Sequence, residues 1–175
     1  VVVKNFPMDT LYMGRQQLKV NYEAFYKRTP AIEAKVASRI HVGQTVIDQE
    51  VVTINGNQHH QVAIYEVDNF IESMTFIKDT ATKIDPEIIV QEQLDGYNAR
   101  DINAFLQPFA ENVKVYGANG ELRTQGIEEM RKGYSDFFET TKDLHCTVKN
   151  RIVIGNKVID EENITANGES FSAIG

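Results

Sequence analysis

The chain has 175 residues, with 25 acidic and 18 basic side chains and a formal net charge of −7. That length holds one or two small domains, and 42% hydrophobic with 25% charged residues is the composition of a folded protein rather than a disordered one. The acidic balance, with no basic cluster, argues against a nucleic-acid partner, and no run approaches the roughly 18 apolar residues of a membrane helix.

In chain order, Leu18, Tyr22, Phe25 and Tyr26 mark a helix by their spacing. Strands follow at 36–42 and 45–54, flanking Gly43-Gln44. A glycine at the first central position of a two-residue loop suits a type II′ hairpin. Two more strands are predicted at 61–67 and 71–77, then a short polar linker at 80–85. Asp85-Pro86 opens a helix well, because Asp caps free N–H groups and Pro suits the first helical position. Val90, Leu94 and Tyr97 share one face of it. Asp101 can cap a second helix with the stripe Ile102, Phe105, Leu106 and Phe109, which Pro108 should end. A short strand is expected at 113–116 and a turn at 117–120. Ile127, Met130, Tyr134, Phe137 and Phe138 mark a third helix, and strands at 148–154 and 157–165 flank Gly155-Asn156.

Shifting the chain by 112 positions aligns it with itself: 17 of 63 residue pairs are identical. Gly14 meets Gly126, Tyr22 meets Tyr134, and Phe25 meets Phe137. Arg39-Ile40, Gly43, Val46-Ile47-Asp48 and Glu50 meet Arg151-Ile152, Gly155, Val158-Ile159-Asp160 and Glu162. A duplication is therefore expected, out of phase, because residues 80–112 and 64–79 have no counterparts. Each unit lacks a piece that the other has. Either further chain or another part of the assembly supplies it.

The motifs Tyr97-Asn98-Ala99-Arg100-Asp101 with Phe105 and Phe109, Gly126-Ile127-Glu128-Glu129-Met130-Arg131 with Tyr134, and Arg151-Ile152 with Val158-Ile159-Asp160-Glu161-Glu162 resemble the nuclear transport factor 2-like superfamily, in its SnoaL-like and ketosteroid-isomerase-like branch. Ala63-Ile64-Tyr65-Glu66-Val67 extends the resemblance. It implies an α+β fold, a curved antiparallel sheet wrapped around helices into a cystatin-like cone with an apolar pocket, duplicated here. Residues 1–79 would be the C-terminal part of a first repeat, 80–85 a linker, and 86–175 the N-terminal part of a second. It also implies dimers, so self-association is expected. The isomerase residues do not carry over. The base position holds Gly117 (Asn5 in the other repeat), the phenol position about Gln93, and the acid region reads Val62-Ala63-Ile64.

Candidate chemistry centres on the hairpins. Asp48 and Glu50 alternate on one strand and point the same way, as do Asp160 and Glu162. Hairpin geometry sets Arg39 opposite Asp48 and Arg151 opposite Asp160. One reading makes this a pocket floor, with a carboxylate as general base and Arg fixing its ionisation or binding the substrate. The other makes it a cross-strand ion-pair ladder contributing roughly 0.2–1 kcal/mol per pair. Tyr97, one turn from the phenol position, Tyr116 at a strand end and His60 are candidate ligand contacts. Adjacent His59 and His60 face opposite ways, which suits no single metal, and no other spacing suggests a metal or cofactor. Cys146 is the sole cysteine and cannot close an internal disulfide, so a reducing, cytoplasmic setting is expected. No secretory signal is visible, and the chain does not open with Met. The expected function is binding of an apolar small molecule carrying a carbonyl or hydroxyl group, with cofactor-free acid–base chemistry if it is an enzyme. The alternative is a non-catalytic module whose sheets associate.

Overall fold

The computed structural model describes residues 1–7 and 9–175. Its elements run β1 (Val2–Asn5), β2 (Asp9–Met13), α1 (Arg15–Arg28), β3 (Ile32–Val42), β4 (Thr45–Ile54), β5 (Asn57–Val67), β6 (Ile71–Lys78), α2 (Pro86–Ala99) and α3 (Ile102–Leu106). They continue with β7 (Lys114–Tyr116), β8 (Leu122–Gln125), α4 (Ile127–Thr140), β9 (His145–Ile154), β10 (Lys157–Ala166) and β11 (Glu169–Ile174). The α+β class is as expected.

Local chemistry sets most boundaries. Asp85 accepts a hydrogen bond from the Glu87 N–H at 3.0 Å, and Asp101 caps α3 through the N–H groups of Asn103 and Ala104 at 2.9 and 3.1 Å. Gly43 and Gly155 both adopt positive φ, 59° and 56°, at the first position of their hairpin turns. Asn55-Gly56, with φ of 50° and 85°, forms a further tight turn. Two consecutive left-handed residues suit a type I′ hairpin, so β5 starts at Asn57, four residues ahead of the predicted strand. Strands β1, β2, β8 and β11 are not predicted by the sequence: β1 is only four residues long, and β2, β8 and β11 are mostly solvent-exposed and carry little burial pattern.

The chain divides into two compact units: Val1–Ile84 with Asn150–Glu161 and Ile174, and Asp85–Lys149 with Glu162–Ala173 and Gly175. The first holds a six-stranded sheet in the order β2-β1-β6-β5-β4-β3. One expectation is corrected here: the sheet is mixed, not antiparallel, because β1 runs parallel to β6. A helix and four strands separate β1 from β6, so no tight turn forces opposite directions. The pairing buries Val3 beside Met74. One face of the sheet carries Ile40, Ile47, Val62 and Ile77, packed in one cluster with Ile152, Ile154 and Ile159. Counting the partly buried Val42 packed against it, the cluster holds three sets of positions 112 residues apart: Ile40 and Ile152, Val42 and Ile154, and Ile47 and Ile159. Ser38 and Asn150, whose side chains hydrogen-bond at 3.1 Å, have the same spacing.

The second unit has its own core. Phe105 and Leu106 of α3, Met130 and Phe138 of α4, and Leu144 are buried together, with Tyr97, Tyr134, Phe137 and Ile164 packed around them. Strands β9, β10 and β11 form a sheet in the order β11-β10-β9, and β7 pairs with β8. Element bounds recur at the offset of the sequence repeat: Arg15–Arg28 against Ile127–Thr140, and Thr45–Ile54 against Lys157–Ala166.

The two hairpin glycines are not equivalent in their surroundings. A Cβ at Gly155 would lie 2.6 Å from Thr80 Oγ1 and 2.8 Å from Thr80 O, whereas one at Gly43 would meet nothing within 4 Å. Both positions carry the positive-φ penalty, but only Gly155 adds a clash with backbone. Gly155→Ala is therefore expected to destabilise by about 1–2 kcal/mol more than Gly43→Ala, measured by urea denaturation of both variants. Equal losses would contradict the packing.

Candidate functional site

In the first unit, β3 and β4 pair with Arg39 opposite Asp48, as the hairpin predicts. The guanidinium donates from Nε to Asp48 Oδ1 at 2.6 Å and from Nη2 to Oδ2 at 2.7 Å. These hydrogen bonds, with the aspartate charge, raise the Arg39 pKa further. Arg151 repeats the arrangement on Asp160, with both contacts at 2.7 Å. A carboxylate with both oxygens held by a fork of donors is fixed in place, with its lone pairs engaged. Asp48 and Asp160 are thus anchored partners of arginine and poorly placed as proton acceptors.

Glu50 sits on the same face as Asp48 but has different neighbours. It is buried, and it accepts hydrogen bonds from Gln61 Nε2 at 2.7 Å and from the Tyr65 hydroxyl at 3.3 Å. No Lys or Arg among the described residues lies within ion-pairing distance of it. Burial, then the Glu50 charge and hydrogen bond, push the Tyr65 phenol well above its usual range. Tyr22 of α1 is raised too, mainly by burial, with Tyr12, Tyr26 and Glu50 adding to it. His60 pairs with Val51, so it lies on the opposite face from Asp48 and Glu50, and it is exposed. Tyr116, at the end of β7, is also exposed.

In the second unit, Tyr97 of α2 stacks among Phe105, Tyr134 and Phe138 with ring centroids 6.0, 6.4 and 5.7 Å away. Burial pushes its phenol well above the usual range, and Tyr134, Cys146 and Glu162 add to the shift. Tyr134 is raised by burial and by Glu162. The Glu162 carboxylate of β10 therefore acts on both phenols. Beside them lies an open cavity of about 280 Å³, lined by Tyr97, Thr124, Glu129, Met130, Gly133, Tyr134 and Phe137. A larger hollow, about 370 Å³, lies between the end of α2 and α4, but Arg100, Glu139 and Lys142 line it and no phenol does. The smaller cavity has the chemistry: two phenols, the Glu129 carboxylate and Thr124 set among the apolar walls of Met130 and Phe137.

Two phenols and a carboxylate in a half-buried aromatic setting can do two things. Phenols whose pKa is raised stay protonated at neutral pH and donate hydrogen bonds to a carbonyl or hydroxyl oxygen. A carboxylate nearby can accept a proton. Among the described residues, no group of three or more His, Cys, Asp or Glu side chains is placed to hold a metal ion. No helix among them is long and apolar enough to cross a membrane.

Tyr134 is the site residue that sequence reasoning passed over as core. The signal was present: the offset that aligns Glu50 with Glu162 also aligns Tyr22 with Tyr134, and in each unit that tyrosine feels that glutamate.

These elements make an α+β fold in which two phenols line a small hollow. Residues 90–174 match the family model of the SnoaL-like domain. Two solved structures are similar. One is an uncharacterized cystatin-fold protein from Novosphingobium aromaticivorans, 19% identical over 52% of this chain and 85% of its own, with a TM-score of 0.48. The other is an NTF2-like protein of unknown function from Cytophaga hutchinsonii, 23% identical over 55% and 80%, with a TM-score of 0.45. No curated protein matches the chain.

Proposed function

We propose that the SnoaL-like segment binds a small apolar molecule bearing a carbonyl or hydroxyl group in the cavity beside Tyr97 and Tyr134. The observation that carries this reading is that two half-buried phenols, both raised further by the charge of Glu162, line one aromatic-walled hollow. The phenols would hold the ligand oxygen, and Glu162 would accept a proton from an adjacent carbon or hydroxyl if the ligand is turned over. The chain would then be a cofactor-free binder or acid–base enzyme. Alongside this, we infer that the chain is a duplication, with residues 1–79 and 86–175 as two incomplete versions of one unit. The matched element bounds and the repeated Arg–Asp pairs support it.

The test is a binding titration with a hydrophobic aromatic ketone such as 2-acetylnaphthalene. Removing one phenol donor is expected to weaken binding about tenfold in Tyr97→Phe. Glu162→Gln should keep binding and lose any proton-exchange activity at the carbon next to the carbonyl. Unchanged binding in Tyr97→Phe would contradict the reading.

A second reading, a module whose sheets associate, has one observation in its favour. The isoleucine cluster joins residues 112 positions apart, and the Ser38–Asn150 pair does the same. Packing of equivalent positions against one another is the pattern that a two-fold-related contact between like sheets would repeat, here within one chain.

A further inference from the structure

Helices α1 and α4 have equal length, and their apolar stripes match position for position: Leu18 with Met130, Tyr22 with Tyr134, Phe25 with Phe137, and Tyr26 with Phe138. Their surroundings differ. On α4, Phe138 is 5% exposed, packed against Tyr97 and Phe105. On α1 no residue is buried, and Tyr26 is 54% exposed. The rings of Tyr22, Phe25 and Tyr26 stack on one another, with centroids 5.8 to 6.4 Å apart.

The strands after the two helices differ in the same sense. Cys146 of β9 is buried, and the Asn98 side chain of α2 satisfies both of its backbone groups. The Cys146 N–H donates to Asn98 Oδ1 at 2.7 Å, and Asn98 Nδ2 donates to the Cys146 carbonyl at 2.9 Å. The equivalent residue, Ala34, lies exposed on β3, the edge strand of the six-stranded sheet. An edge strand offers backbone donors and acceptors to whatever covers it.

Charge adds a third observation. Helix α1 carries Arg15, Lys19, Lys27 and Arg28 against Glu23 alone. The α2–α3 stretch carries Asp85, Glu87, Glu92, Asp95 and Asp101 against Arg100 alone. A helix pair of that composition is complementary to α1 in sign as well as in shape.

We propose that the α1 stripe and the β3 edge at Ala34 form a docking surface for an amphipathic, acidic helix pair of the α2–α3 type. Its Phe–Leu step would cover Tyr22 and Tyr26, and its asparagine would bond the Ala34 backbone. The inference rests on the duplication proposed above. It identifies what the first unit lacks, and it places that element over Glu50.

The probe is a fluorescent peptide of residues 84–110 added to the full chain. A 27-residue stretch of two short helices is marginally stable alone, so binding couples to folding. Anisotropy should show saturable binding, with amide hydrogen exchange slowed in 15–28. Tyr26→Arg in the protein is expected to weaken binding at least tenfold. Asn98→Ala in the peptide should weaken it about tenfold. Tyr26 is exposed, so its substitution leaves the fold intact. Four results would overturn the proposal: no binding, binding indifferent to both substitutions, protection confined to α4, or a concentration-dependent dimer that shields α1 without peptide. The duplication is judged separately, by superposing 39–50 on 151–162 in crystal coordinates. Matching hairpins with no peptide binding would overturn the docking surface alone.

Discussion

Gly96→Ala is expected to disrupt the helical layer of the second unit, lowering stability by about 3 kcal/mol or more. Intrinsic propensity points the other way, since alanine exceeds glycine by roughly 1 kcal/mol within a helix. Sterics decide the sign. A Cβ at Gly96 would lie 2.5 Å from Phe105 Cα and 2.7 Å from Ala104 C, both backbone atoms of α3 that no rotamer change can move. Shifting α3 would drag Phe105, the largest fully buried side chain of that core, out of its contacts with Tyr97, Tyr134 and Phe138. For a chain of this length the loss corresponds to roughly 6–12 °C in Tm, read by circular dichroism. A stabilised or unchanged variant would mean that α2 and α3 do not cross at this distance.

Arg151→Met is expected to cost about 3–5 kcal/mol, because it leaves the buried Asp160 carboxylate without its cation. The Arg151 side chain is only 12% exposed, so water does little to replace it. Arg39→Met removes the equivalent partner of Asp48, but the Arg39 side chain is 58% exposed. Solvent already screens that pair, and its loss should be clearly smaller. The double variant Arg151→Met/Asp160→Asn should regain part of the lost stability, since it removes the stranded charge. Denaturant midpoints of the four proteins check this. Equal losses for Arg39→Met and Arg151→Met would show that burial does not distinguish the two pairs.

Much of the fold was legible from residues with one physical job. Asp85-Pro86, Asp101, Gly43 and Gly155 mark ends and turns through backbone chemistry that tertiary context seldom overrides. The stripe at Met130, Tyr134 and Phe138 was equally plain. Strands β2 and β8 were hidden because their residues face water and carry no burial rhythm. The parallel pairing of β1 with β6 was hidden for another reason: direction depends on a partner some 70 positions away, which no local pattern encodes. The candidate site divides the same way. Arg39 opposite Asp48 followed from hairpin arithmetic. The difference between an aspartate gripped by arginine and a glutamate held by Gln61 and Tyr65 needed the third strand. His60 illustrates the cost of period-two ambiguity, since one position along β5 sends a side chain to the other face.

The proposed ligand site is tested most directly by methyl NMR of the methionines, labelled with carbon-13, during titration with 2-acetylnaphthalene. Met130 lines the cavity beside Tyr97 and Tyr134, whereas Met13 and Met74 belong to the other unit. The Met130 methyl is expected to shift saturably while those of Met13 and Met74 stay in place. A Met130 signal that stays fixed at saturating ligand, or a shift at Met74 instead, would contradict the account.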